Sequence, residues 1–167
     1  MSGRLRTCRA MKPIITSYRY GSMRRPNEGL RIGVARQVPR GIRREDWQRL
    51  NYFDLRFPLL APTSDLVSEY RRNRISFMVF GRHYKNQMKA TESRQVIELL
   101  AAMSLFQPIS VGCFCEDESL CHRSLLQQLI LKEAKRKVIG LSSLLEDSES
   151  HDSVRFASPV CFGHDQE

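Results

Sequence analysis

The stretch from Ile109 to Leu126 limits what this chain can fold into more than any other. Ile109-Ser110-Val111-Gly112-Cys113-Phe114 is a short apolar run with helical patterns before and after it, the pattern of a central strand in a parallel α/β sheet. The acidic loop Cys115-Glu116-Asp117-Glu118-Ser119-Leu120 follows. A helix then opens on Cys121-His122-Arg123 and buries Leu125, Leu126, Leu129, Ile130 and Ala134. Three of the five cysteines fall within nine residues. Parallel sheets bind ligands at the carboxyl ends of their strands, where loops converge and helix N-termini point free N–H groups outward. Soft ligands, a titratable imidazole and a fixed cation are therefore expected to meet at one corner.

The rest of the chain supplies that strand with neighbours. Pro13-Ile14-Ile15-Thr16-Ser17-Tyr18 and Leu30-Arg31-Ile32-Gly33-Val34-Ala35 read as two further strands. Trp47 to Phe57 is aromatic-rich with weak periodicity and reads as loop and short helix over the core. Thr63 or Ser64 caps a helix running to about Arg72. Ile75 to Phe80 has strand propensity, yet Phe77, Phe80, Tyr84 and Met88 share one helical face behind Ser76, so a helix is expected despite Gly81 in its middle. Thr91-Glu92-Ser93 opens the next helix, with Val96, Leu99, Leu100 and Met103 on its inner face. The last helix is expected to end near Lys135, with Val138-Ile139 as a possible short final strand. The expected architecture is a single α/β domain over residues 13–140, with a small parallel sheet of three to four strands flanked by helices. A disordered basic arm (1–12) precedes it and an acidic, mostly disordered tail (141–167) follows, in which His151, Cys161 and His164 have no usable spacing.

Charge narrows the partners. Residues 1–140 hold 26 Lys/Arg against 12 Asp/Glu, a balance of +14, while 141–167 hold one Arg against six acids. A body this basic commonly meets phosphate, as a nucleotide or a nucleic acid. No apolar run approaches a membrane span and the N-terminus lacks a signal-peptide core, so no membrane partner and a cytoplasmic location are expected. An odd, clustered cysteine count points to reduced thiols or a metal site, not a disulfide framework.

Two chemistries use the same corner. In the first, Arg36, Arg40 and Arg123 hold an anion and His122 moves protons. Cys113 or Cys121 is then the nucleophile, the thiol of Cys121 being acidified by the helix start and Arg123. In the second, Cys113, Cys115 and Cys121 bind zinc; adjacent Cys121 and His122 are expected to diverge, so three ligands come easily. Two plainer readings stand beside them. The cysteines could simply pack and cap the helix, or Cys115 and Cys121 could exchange a disulfide.

Cys113-x7-Cys121-His122-Arg123-Ser124-Leu125-Leu126 closely resembles the C-terminal signature of the domain of unknown function 488 family. Thr16-Ser17-Tyr18 resembles the first strand of that family, and Ala35-Arg36-x-x-Pro39-Arg40-Gly41 its arginine-proline loop. Leu60-Ala61-Pro62-Thr63-x-x-Leu66 and Ile75-Ser76-Phe77 through Tyr84 are similar to its next two segments. The resemblance spans roughly residues 14–135. It implies an α/β fold but no substrate; Tyr18 and Cys115 are expected as further pocket residues. The chain departs from many relatives at Ala35, Val38 and Cys115, where they carry aspartate, tryptophan and glutamate.

Overall fold

The computed structural model describes residues 12–148, with side chains as far as 140. Its sheet has four parallel strands in the order β1 (Ile15–Arg19), β4 (Ile109–Cys113), β2 (Leu30–Gly33), β3 (Leu55–Arg56). The strand predicted to be central is central. Val111 lies opposite Ser17 on one side and Ile32 on the other, and all five β4 residues are buried. Four helices accompany the sheet: α1 (Ser64–Arg71), α2 (Phe77–Gln87), α3 (Thr91–Met103) and α4 (His122–Ser148). This is the α/β fold that the sequence pattern predicts.

Side-chain alternation separates two environments on the sheet. Ile15, Ile32, Ile109 and Val111 join one core with Phe80, Tyr84, Leu100, Leu126 and Ile130 of the helices. Each such side chain contributes about 1.5–3 kcal/mol by leaving water. The alternate residues Tyr18 and Arg31 pack instead against irregular chain. Arg31 is fully buried: Nη1 donates to the carbonyls of Ser22 and Asn51 (2.8 Å each), and Nη2 donates to the Met23 carbonyl (3.0 Å) and to Glu28 Oε2 (2.9 Å). Its guanidinium lies 4.3 Å from the centre of the Tyr18 ring. One strand residue thus ties the β1–β2 connection and the segment before β3 to the sheet.

The aromatic helix forms as expected, with Ser76 Oγ accepting from Val79 N–H. Gly81 faces Leu125 of α4, and a Cβ there would sit 3.4 Å from a Leu125 methyl, ordinary contact with the end of a flexible side chain. Gly81→Ala is therefore expected to stabilise the protein by about 0.5–1 kcal/mol through lower chain entropy in the unfolded state. Urea unfolding of the two proteins measures it.

Three local expectations need correction. On α3, Leu100 is buried and Val96 and Met103 pack partly buried against the core as expected, but Leu99 is 53% exposed, and Ser93, Ile97 and Ala101 are the other buried residues. Residues Val138-Ile139 add no strand, because the helix backbone runs unbroken past Lys135 to Ser148. The Trp47 to Phe57 segment contains β3, a two-residue strand too short to announce itself by alternation, and the short helical turns lie on either side of it, at Arg44–Asp46 and Pro58–Leu60. Cys8, His151, Cys161 and His164 lie outside the described residues. No helix among the described residues is long and apolar enough to cross a membrane.

Candidate Cys-His cleft

At the carboxyl ends of β2 and β4 the chain encloses a cleft of about 510 Å³. One wall is Ala35-Arg36 after β2. The opposite wall is Ala61-Pro62 with α1, held by α2 through Tyr84 Oη donating to the Leu60 carbonyl (2.7 Å) and Gln87 Nε2 to that of Ala61 (2.9 Å). Phe80 and Tyr70 make the throat apolar. Cys113, Cys115, Cys121 and His122 line it from the sheet side.

These four groups converge because three elements end together. Cys113 is the last residue of β4, Cys121 closes a turn in which its N–H donates to the Glu118 carbonyl (3.2 Å), and His122 is the first residue of α4. Cys113 Sγ stands 3.7 Å from Cys115 Sγ and 3.9 Å from His122 Nδ1, and Cys121 Sγ stands 3.7 Å from the same nitrogen. The expectation that Cys121 and His122 diverge is thus overturned. Cys121 precedes the helix in a turn, so the two side chains are not one helical step apart.

His122 Nε2 lies 3.1 Å from the Val34 carbonyl. A carbonyl only accepts, so Nε2 carries the proton and Nδ1 turns its lone pair to the sulfurs. Burial lowers the imidazole pKa and keeps the ring neutral. The half-exposed Cys115 sulfur, 3.7 Å from that of Cys113, is held well below the usual thiol range, first by its hydrogen bond with Cys113. Cys113 is correspondingly raised to about 11, first by its bond to Cys115, and Cys121 is raised by the neighbouring sulfurs and by burial. The most acidic of the three sulfurs is thus Cys115, a pocket residue and zinc ligand in the sequence reading, whereas the nucleophile expected there was Cys113 or Cys121.

Arg123 is buried, and its guanidinium holds the cysteine loop: Nη1 donates to the Cys115 carbonyl (2.6 Å) and Nη2 to that of Glu116 (3.3 Å). Arg36 lines the cleft, with Nε and Nη2 donating to the Pro62 carbonyl at 3.2 Å each. Arg40 does not line it. It is exposed, in the turn that Gly41 closes at φ +72°. Tyr18 does not line it either, because strand alternation sends its ring to the opposite face of the sheet, where Oη donates to the Tyr52 carbonyl (2.6 Å). Two cleft residues escaped sequence reasoning, Arg71 and Arg72, both exposed at the C-terminal end of α1. Neither makes an ion pair among the described residues. Their signal was the basic run Arg71-Arg72-x-Arg74, which alone resembles any solvated helix end.

A parallel α/β domain with a concave site at the carboxyl edge of its sheet, and cysteines and a histidine on one side of that site, is the class this geometry defines. Within that class the chain belongs to the DUF488 family: the family model DUF488-N3a, described as the active DUF488-N3 subclade, matches residues 15–134. No curated protein and no solved structure gave a match.

Proposed function

We propose that the cleft binds a phosphate-bearing ligand with an apolar or planar body, a nucleotide either free or within a nucleic acid, and presents it to the Cys-His side for chemistry. The observation that carries this reading is the joining of three arginines, an apolar throat and a cluster of reactive side chains in one concavity. Guanidinium forks match phosphate oxygens two at a time, and aromatic walls take a base by stacking. The matched subclade is described as active, which supports a reaction over mere binding. The net charge of +9 favours the approach of an anion.

A nucleoside monophosphate is expected to bind more tightly than its nucleoside in calorimetric titration. Replacing Arg71 and Arg72 together by alanine should weaken only the phosphorylated ligand, by about 10–100-fold, as lost charge-assisted hydrogen bonds imply. Equal affinity for the two ligands, or no binding of any nucleotide or oligonucleotide, sinks the proposal. The convergence of Cys113, Cys121 and His122 also favours a second reading, a non-catalytic zinc-bearing module that binds nucleic acid over its basic surface. Oligonucleotide affinity would then fall steeply with salt yet survive loss of Arg71 and Arg72.

A further inference from the structure

We infer that Cys113, Cys121 and His122 form a zinc site with three protein ligands and a fourth coordination position open to the cleft. Their donor atoms, two Sγ and Nδ1, all lie within 4.8 Å of one another, and the two sulfur–nitrogen separations are 3.7 and 3.9 Å. A tetrahedral zinc with Zn–S of about 2.3 Å and Zn–N of about 2.0–2.1 Å sets its donors roughly 3.5–3.8 Å apart. The three donors thus stand close to where the ion needs them.

Three further features fit the ion. The Nε2–H bond to the Val34 carbonyl is the outer contact that metal-binding histidines usually make, and it fixes both ring orientation and tautomer. All three residues are buried and rise from element ends, and the intervening loop is tied down by Arg123 through the Cys115 and Glu116 carbonyls. Two thiolates and a neutral imidazole balance a divalent charge, which suits a centre removed from water, and such soft donors select zinc over magnesium or calcium. Each ligating thiol exchanges its S–H bond for an S–Zn bond and gives its proton to solvent.

The fourth position follows from what the cleft leaves open. Cys115 is 3.7 Å from Cys113 Sγ, but it is outside the mutually close set and only half-buried, on the loop beyond β4. All three ligands line the cleft, so a water or a ligand atom can complete the tetrahedron from that side. Zinc sites with three protein ligands and an open position are the catalytic kind, in which bound water ionises near pH 7. This assignment deepens the phosphate-ligand reading but does not rest on it, because metal and nucleotide binding are measured separately.

The test is titration of the full, metal-free chain with cobalt(II), followed by displacement with zinc. One cobalt per chain is expected, with thiolate-to-cobalt charge-transfer absorption in the near ultraviolet and the strong visible bands of four-coordinate cobalt. Cys121→Ser and His122→Ala, checked for folding by circular dichroism, should lose more than the roughly 10–100-fold that removal of an outer contact costs. Cys115→Ser should keep one cobalt and its charge-transfer intensity. Folded wild-type protein that develops no such absorption at stoichiometric cobalt overturns the site, whatever the variants do. A folded His122→Ala that binds as well as wild type removes the histidine from it. If Cys115→Ser loses the metal as completely as Cys121→Ser, the fourth position is closed by Cys115 and the open site is wrong. A nucleotide that binds equally with and without metal leaves the zinc assignment intact and separates it from the ligand reading.

Discussion

Replacing Glu28 by alanine is expected to lower the unfolding free energy by about 3–5 kcal/mol, the usual cost of stripping one partner from a buried ion pair. Arg31 and Glu28 have 0% and 2% of their side chains exposed, so neither charge has water to fall back on. Glu28 Oε2 also accepts from the Arg25 N–H at 2.8 Å, and that bond is lost as well. Removing both charges, as in Glu28→Leu with Arg31→Met, should not restore stability. The carbonyls of Ser22, Met23 and Asn51 would lose the guanidinium that satisfies them, which sets this pair apart from ion pairs that an apolar core can replace. Denaturant unfolding of both variants decides the matter. A loss under about 1 kcal/mol for Glu28→Ala would mean that the charge is not held as buried.

Gly112→Ala is expected to cost about 3 kcal/mol, at the upper end for overpacking, and to lower the melting temperature by roughly 6–12 °C. An added Cβ would lie 2.2 Å from Cζ and 2.5 Å from Oη of Tyr18, whose ring covers the glycine from the neighbouring strand. Tyr18 would have to leave, giving up its bond to the Tyr52 carbonyl and its contact with Arg31. Combining Gly112→Ala with Tyr18→Leu should recover part of the loss relative to the sum of the single changes, and calorimetry of the four proteins measures that coupling. Gly112 immediately precedes Cys113, so a strand bent at this point should also weaken cobalt binding. A melting temperature unchanged by Gly112→Ala would contradict the close packing of Tyr18.

Much of the fold was legible because its causes are local. The central strand announced itself as an apolar run between helices, the aromatic helix by its 3.6-residue period and serine cap, and the parallel sheet by the alternation of elements. The candidate site was legible as a concentration of residue types, Cys113, Cys115, Cys121 and His122 within ten positions. What failed was the placing of particular side chains around the site. Arg40 was grouped with Arg36 by sequence proximity, but the chain bends at Arg36-Gln37 and leaves Arg40 exposed outside the cleft, and Tyr18 was placed in the pocket although strand alternation turns it away. Arg71 and Arg72 enter the cleft only because α1 packs across it.

The sequence by itself therefore determined the class of fold, the order of most elements and the corner where chemistry concentrates, since propensity, periodicity and capping act over a few residues. Only the tertiary structure decided what that corner is made of. The Val34 carbonyl that orients His122 is 88 residues distant in the chain, and the strand residue Arg31 became a buried hub once the β1–β2 connection and the segment before β3 closed over it. Such contacts have no local signal, because they are chosen by which carbonyls and charges the assembled sheet and helices leave without water.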